Sequence, residues 1–303
     1  MQTSGAQDAI WTVEAVLRWI SGDFKARGID SPRLEAELLV SLVLGCTRIQ
    51  LIVDRDRPLV ATELARIREL VARRRKREPV AYLTGRREFY GHEFRVDRRV
   101  LIPRPDTETL VEVALERTRD HSLFGRMLDL CTGSGNVAIA FAKERPTWHV
   151  EATDISPDAL EVARMNALRL GAVWNVRFRR GDLFDAAAPR PYDLITANPP
   201  YVTLREMQEV SADVRDHEPH LALVGGEDGL DVIRRIGAQA GAHLVAGGVL
   251  ALEIGCEQGD ATRALLEGEG FIDVRVDRDL GGRPRVVSAV HPESGAAFDP
   301  AWD

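Results

Sequence analysis

The sequence lacks long hydrophobic runs, paired cysteine motifs and an excess of basic residues, and each absence argues against a class of protein. No run approaches the ~20 apolar residues that a membrane-spanning helix needs. Asp8 and Glu14 within the first apolar stretch are unlike a signal peptide. Cys46, Cys131 and Cys256 form no C-x-x-C motif and cannot all pair, which favours a reducing compartment and hence the cytoplasm. The formal net charge of -7 argues against bulk nucleic-acid binding.

Potential metal ligands are equally sparse, whereas length and hydrophobic content are ample. The seven histidines are scattered. Only His217 and His220 lie close together, and no third ligand is near them, so we expect no metal site. The 303 residues are 45% hydrophobic and 29% charged. These values suit a soluble globular protein with two domains, one of them large enough for a full core.

Residues 1–85 are predicted to form a small helical bundle. Apolar residues recur at helical spacing in residues 8–20. Ser31-Pro32 is typical of a capped helix start, and a further helix is expected from about Thr62. That helix carries the basic run Arg73 to Arg77 near its end. A solvated helix end, where cations favour the helix dipole, explains this run as well as contact with an acidic partner or RNA does.

Residues 86–105 are expected to link this bundle to the rest of the chain. Phe89, Gly91 and Phe94 indicate a short β-hairpin or an extended linker. In the following segment, Ile102 to Pro105, two prolines flank an arginine and hold the backbone extended. A wall or lid over a neighbouring site requires such a segment, although a plain linker explains these residues equally well.

From Arg126 onward, candidate strands alternate with helices. The strands are predicted at residues 126–130, 148–152, 174–180, 192–197, 248–254, 271–277 and 284–290. Five β-α units followed by a closing hairpin predict a mostly parallel sheet with helices on both faces and one antiparallel strand at the end. The fold class is therefore expected to be α/β.

The turn after the first of these strands has the composition of a cofactor-binding loop. Gly133 and Gly135 stand where the next helix begins, and glycines there let a ligand approach the backbone. Asp154 follows about 20 residues later, where an acid can hold the two hydroxyls of a ribose. Asp182, after the third strand, can accept a hydrogen bond from an adenine amino group. These residues predict a cofactor that contains adenosine.

The loop by itself leaves the type of cofactor open. Gly133, Gly135 and Ala138 fit the G-x-G-x-x-A pattern of nicotinamide dinucleotide sites, so an oxidoreductase is an alternative. Asp129 favours S-adenosylmethionine, because it is suitably placed for the amino group of a sulfonium ligand. The second carboxylate, at Asp182, also favours S-adenosylmethionine.

The fourth strand ends in Asn198-Pro199-Pro200-Tyr201. The Asn198 amide can both accept and donate hydrogen bonds. Each proline lacks an N–H group and fixes φ, which leaves rigidly aimed backbone carbonyls as acceptors. Tyr201 adds a flat apolar face that can stack on a planar group and exclude water. The motif therefore predicts an amide or amino substrate whose two hydrogens are accepted by Asn198 Oδ1 and the Pro199 carbonyl.

These stretches resemble the glutamine-N(5) methyltransferases of the HemK/PrmC type, which modify peptide chain release factors. The similarity extends over residues 78–290 and is weaker in the helical opening. It is carried by Glu78 to Gly85, Arg87 to Gly91, Leu101 to Glu108, Asp129 to Gly135, Asn198 to Tyr201, and Glu218-Pro219 with Gly225 to Gly229. The resemblance implies a helical substrate-docking domain at residues 1–85, a hairpin linker at 86–105 and a seven-stranded, Rossmann-like class I methyltransferase domain at 106–303.

The resemblance also implies a reaction and its residues. The protein would transfer a methyl group from S-adenosyl-L-methionine to the glutamine amide nitrogen of a Gly-Gly-Gln motif. Release factors would be its partners, without membrane or direct nucleic-acid binding. The catalytic residues would be Asn198, Pro199, Pro200 and Tyr201. The cofactor would be bound by Asp129, Cys131, Thr132, Gly133, Ser134, Gly135, Asp154, Asp182, Leu183 and Asn198.

Two features keep other substrates open. Cys131 stands where many members of the family carry glycine, and cysteine there also resembles a sister family that methylates a large-subunit ribosomal protein. The Asn-Pro-Pro-Tyr motif is shared with adenine-N(6) methyltransferases, which act on nucleic acids. A ribosomal protein and a nucleic acid are therefore alternative substrates, and a cofactor-binding scaffold without activity is an alternative of a different class.

Overall fold

The chain divides into two compact units. The computed structural model describes residues 11–292, so expectations for the residues outside that range are not addressed by it. The first unit contains the residues up to Gly85 together with Ala212–His217. The second contains Arg86–Ser211 and the residues from Glu218 onward. The sequence did not predict that Ala212–His217 groups with the helical unit.

The first unit is helical. Its helices are α1 (Val13–Ala26), α2 (Pro32–Leu44), α3 (Arg48–Val53), α4 (Ala61–Arg75), α5 (Val80–Thr84) and a short helix at Ala212–Arg215. The apolar face of α1 is buried against α2 and α4, as its helical spacing predicts. Pro32 does begin α2, but the Ser31 hydroxyl makes no capping hydrogen bond. A capping box of Thr47 and Gln50 begins α3, a six-residue helix that the sequence did not predict.

Acidic side chains of the same unit pair with the four arginines of the basic run. The ion pairs are Arg73–Glu78, Arg74–Glu35, Arg74–Asp213, Arg75–Asp23 and Arg77–Asp213. Arg74 is buried, and two carboxylates therefore share its charge. Arg73, Arg75 and Arg77 remain partly exposed, so the solvated helix end and the external partner both stay predictions.

The second unit begins with the predicted hairpin, β1 (Arg86–Phe89) and β2 (His92–Arg95), and continues into a seven-stranded sheet. The strands of the sheet are β3 (Arg126–Leu130), β4 (His149–Asp154), β5 (Val176–Arg180), β6 (Tyr192–Ala197), β7 (Leu244–Glu253), β8 (Ile272–Arg278) and β9 (Pro284–Val290). Their order is β5-β4-β3-β6-β7-β9-β8. Only β9 runs antiparallel to its neighbours within this sheet. The predicted α/β fold with one antiparallel strand is thus confirmed.

Helices cover both faces of this sheet. They are α6 (Glu108–Arg117), α7 (Asn136–Glu144), α8 (Pro157–Leu170), α9 (Asp231–Ala240) and α10 (Gly259–Gly268). Alternation along β3 sends Met127 into the core with α6 and α7, and Leu128 into the core with α9 and α10. The chain order of the strands reverses between β3 and β6. In open α/β sheets a ligand binds at this point, beyond the carboxyl ends of the strands.

Within residues 11–292, no helix is both long and apolar enough to cross a membrane.

Candidate active site

A cavity of about 230 Å³ lies at the carboxyl ends of β3 to β6. Most of the residues predicted for the cofactor and the catalytic motif line it. They are Asp129, Cys131, Thr132, Gly133, Ser134, Asp154, Asp182, Leu183, Asn198 and Pro200. Gly135, Pro199 and Tyr201 do not line this cavity. The parallel sheet therefore brings residues from four strand ends to one place, as the strand order predicts.

The turn between β3 and α7 is held in an unusual backbone conformation. Cys131 has φ of 54°, in the left-handed region that favours glycine and costs other residues about 1 kcal/mol or more. Glycine would adopt this conformation without that cost. Burial, and then the nearby Asp154 charge, raise the pKa of the Cys131 thiol well above its usual range, so the thiol is neutral. Gly135 has φ of 80°, and a Cβ there would lie 3.2 Å from the Cβ of Ala163 in α8.

Asp129, the last residue but one of β3, is a buried carboxylate. Its Oδ1 accepts a hydrogen bond from Thr196 Oγ1 at 2.7 Å, and its Oδ2 accepts one from Thr132 Oγ1 at 2.6 Å. Burial raises the pKa of Asp129 to about 6, although both hydroxyls act in the opposite direction. Each oxygen keeps acceptor capacity for a further donor, such as the amino group of a ligand.

The other two carboxylates differ in their surroundings. Asp154 accepts hydrogen bonds from the backbone N–H groups of Gly133 at 2.8 Å and Ser156 at 2.9 Å. It thus ties the glycine turn to the end of β4, and burial raises its pKa. Asp182 instead pairs with Arg235 of α9 at 2.7 Å. The sequence did not point to Arg235, because the pairing joins residues far apart in the chain.

Asn198 follows β6 at the cavity wall. Because β6 pairs with β3 in register, with Leu130 opposite Ala197, the Asn198 side chain emerges beside the cofactor turn. Its Nδ2 donates to Thr107 Oγ1 at 3.3 Å. Tyr201 is anchored at the other end of the motif, where its hydroxyl donates to Glu253 Oε1 at 3.1 Å. The stacking role of Tyr201 stays a prediction.

The proline-arginine-proline segment forms one wall of the cavity. The Glu218 carboxylate is buried, and it accepts hydrogen bonds from the Ile102 N–H at 3.1 Å and from Arg104 Nη2 at 2.6 Å. Pro103, Arg104 and Pro219 all line the cavity. Two motifs that the sequence treats separately, Ile-Pro-Arg-Pro and Glu-Pro, therefore form one structural unit. The structure favours the wall over the plain linker for this segment.

The glycine-rich segment from Gly225 to Gly229 packs against the backbone of the Asn-Pro-Pro-Tyr turn. Gly229 has φ of 75°, and a Cβ there would lie 2.2 Å from the carbonyl oxygen of Tyr201. Gln258 Nε2 donates to the same carbonyl at 3.0 Å. Asp228 accepts from the Leu230 N–H at 3.1 Å, just before α9. No sequence pattern pointed to Gln258.

Comparison of this chain with known proteins identifies the family to which it belongs. Residues 15–85 match the family model described as the PrmC N-terminal domain, and residues 106–217 match the methyltransferase small domain. The release factor glutamine methyltransferase of Koribacter versatilis is 44% identical over 89% of this chain and 95% of its own length. That of Geobacter sulfurreducens is 42% identical over 92% of this chain and 96% of its own length. This chain belongs to the release factor glutamine methyltransferase family.

Family membership confirms the resemblance, the enzyme class and the cofactor. The protein is a methyltransferase that depends on S-adenosyl-L-methionine, and the nicotinamide alternative is set aside. The fold agrees with this conclusion. A crystal structure of a methyltransferase from Pyrococcus furiosus, 18% identical, covers 77% of this chain and 100% of its own with a TM-score of 0.51.

Proposed function

We propose that this protein methylates the side-chain amide nitrogen of a glutamine in peptide chain release factors, within their Gly-Gly-Gln motif. The names of its relatives support the substrate class. The observation that carries the proposal is that Asn198 and Asp129 line one cavity, so an amide-binding group stands beside a candidate donor site. A release-factor substrate also implies a cytoplasmic enzyme.

The residues at the strand ends fit the methyl donor. We assign Asp129 to its amino group, Asp154 to its ribose hydroxyls and Asp182 to its adenine. The Cys131 to Gly135 turn and Leu183 would complete the contacts. S-adenosyl-L-methionine supplies an activated methyl group with its own leaving group. The protein therefore has to position the acceptor and stabilise charge, and it needs no redox or nucleophilic residue.

The methyl acceptor, the glutamine amide nitrogen, is unreactive by itself. The lone pair of a carboxamide nitrogen is delocalised into its carbonyl. Asn198 Oδ1 and the Pro199 carbonyl would each accept one of its hydrogens, which orients the nitrogen and favours the positive charge that develops on it. No strong base is required before transfer, because the methylated product loses a proton readily. Pro200 and Tyr201 would confine the amide and exclude water.

The helical unit is proposed to dock the protein substrate, with residues 1–85 as that domain, 86–105 as the linker and 106–303 as the catalytic domain. Exposed apolar side chains of the short helix α3 support a docking role. Ile49, Ile52 and Val53 are 74%, 67% and 76% exposed. Such a patch is more typical of a protein contact than of a solvated surface.

The proposed substrate is tested by methyl transfer from a labelled donor to purified release factors, followed by mass mapping of the modified residue. We expect a single methyl group on the glutamine of the Gly-Gly-Gln motif. A release factor with asparagine in place of that glutamine is the matched control and should remain unlabelled. Label on a ribosomal protein or on RNA, with none on release factors, would contradict the proposal.

A further inference from the structure

Thr107 stands at the start of α6, yet its side chain does not cap the helix. Threonine is favoured at such a position because its hydroxyl can accept from the first free N–H groups. Thr107 makes no such bond, and its side chain is buried. Its Oγ1 instead accepts from Nδ2 of Asn198, at 3.3 Å, across 91 residues of chain. The hydroxyl therefore contacts a residue of the cavity instead of the helix backbone, and Thr107 itself also lines the cavity.

The other neighbour of Thr107 is Glu253, at the end of β7. Its side chain is buried, and its Oε1 accepts from the Tyr201 hydroxyl at 3.1 Å. Among residues 11–292, Glu253 Oε2 has no hydrogen-bond partner. Burial raises the pKa of Glu253 to about 6, and the nearby Thr107 hydroxyl acts in the opposite direction. The carboxylate thus has acceptor capacity left for the hydrogen of Thr107.

An ionised carboxylate next to Thr107 favours one orientation of the Thr107 hydroxyl. A carboxylate only accepts hydrogen bonds, whereas a hydroxyl has one hydrogen to donate and lone pairs to accept. With the hydrogen of Thr107 directed to Glu253, its oxygen faces Asn198 as an acceptor. The Asn198 carboxamide then turns Nδ2 toward Thr107, which leaves Oδ1 for the substrate. Without the hydroxyl, both orientations of the carboxamide become accessible, and one of them presents a donor to a nitrogen that needs acceptors.

We propose that Thr107 is a positioning residue that holds the Asn198 carboxamide with its oxygen toward the methyl acceptor. This inference rests on the proposed function, since it requires that Asn198 binds the acceptor nitrogen. Thr107 itself acts through Asn198 and need not touch the substrate.

The test compares Thr107→Val, which removes the hydroxyl at nearly constant volume, with Thr107→Ser, which retains it. Single-turnover methyl transfer in Thr107→Val should slow by about 10–100-fold, the range expected when a reacting group is misplaced by about 1 Å. Thr107→Ser should stay within about threefold of the wild type. The Kd of the donor, measured by titration, should change by less than about threefold in both variants. Thr118→Val is the control, because Thr118 is also buried at an end of α6 but bonds only the Ala114 carbonyl.

A double variant separates positioning from a general structural effect. If Thr107 acts through Asn198, adding Thr107→Val to Asn198→Ala should slow transfer by less than about twofold further. Multiplicative losses would overturn the inference, as would a Thr107→Val enzyme within twofold of the wild type or a serine variant as slow as the valine variant. Failure of the proposed function is distinguishable, because Asn198→Ala alone would then keep full activity.

Discussion

The protonation state of Asp129 should make the affinity for the methyl donor depend on pH. Both of its oxygens accept from buried threonine hydroxyls, and burial raises its pKa to about 6. Only the ionised carboxylate attracts an ammonium group. Above the raised pKa the group is charged and able to bind, whereas below it the neutral acid predominates.

Donor affinity should therefore fall as the pH drops through 6. We expect the Kd of S-adenosyl-L-methionine to be nearly constant between pH 7 and 8 and to rise by up to about tenfold per pH unit below 6. Isothermal titration of the wild type and of Asp129→Asn checks this. The variant should bind more weakly and show a flatter pH profile. A wild-type Kd that does not change between pH 5 and 8 would refute the assignment of Asp129 to the amino group.

At the scale of elements, Glu218 joins the two segments that form one wall of the cavity. Its buried carboxylate binds the backbone of Ile102 and the guanidinium of Arg104. In Glu218→Gln the neutral amide can still accept from the Ile102 N–H, but the charge opposite Arg104 is lost. We expect the free energy of unfolding to fall by about 1.5–3 kcal/mol, the usual contribution of a hydrogen bond to a charged group.

Chemical denaturation and donor titration measure both consequences of Glu218→Gln. The Kd of the donor should rise severalfold, because Arg104 and Pro219 line the cavity. The matched control is Glu93→Gln, whose partners Arg86 and Arg169 are exposed, so stability should change by less than about 1 kcal/mol. Equal stability losses in the two variants would argue against a special role for the Glu218 link.

Helix α4 and the distant segment Ala212–His217 are joined by a second buried charge. Arg74 lies between Glu35 and Asp213, at 2.5 Å and 2.7 Å. Arg74→Met leaves Glu35 without its counter-charge and Asp213 with only Arg77, at 3.8 Å. The free energy of unfolding of the helical unit should therefore fall by about 3–5 kcal/mol. Thermal unfolding followed by circular dichroism measures the loss.

The same helix offers the control for this prediction. Arg66 pairs with Glu69 on the exposed surface of α4, so Arg66→Met should change stability by less than about 1 kcal/mol. If Arg74→Met were as stable as Arg66→Met, the buried ion pairs would not hold the segment to the helices, and the grouping of Ala212–His217 with this unit would need another explanation.

At the scale of the whole molecule, the sequence predicts the catalytic fold well because strand signals are local. The bounds of β3, β6 and β9 agree with the predicted strands at 126–130, 192–197 and 284–290. Each of these runs is rich in apolar or β-branched residues and is bounded by turn residues. The short helices α3 and α5 were missed, because five or six residues carry too little periodicity to separate a helix from a loop.

The sequence predicted only those site residues that lie at or just beyond the ends of strands. Asp129 and Asp154 lie in the last residues of β3 and β4, and Asp182 and Asn198 follow β5 and β6. A parallel sheet gathers such residues at one edge. Thr107, Arg235 and Glu253 were not predicted, because their roles arise from contacts across long stretches of chain, such as the 91 residues between Thr107 and Asn198. Likewise, the sequence did not predict the acidic partners Glu35 and Asp23 of the basic run, because they lie on other helices.

The central claim is that Asn198 holds the acceptor nitrogen beside the donor site. The most direct measurement is single-turnover methyl transfer to a release factor by Asn198→Ala, alongside the Kd of the donor in the same variant. The account predicts a rate lower by about 10²–10³-fold, as for the loss of one positioned polar group, with a Kd within about threefold of the wild type. A variant that transfers methyl groups at the wild-type rate would contradict it.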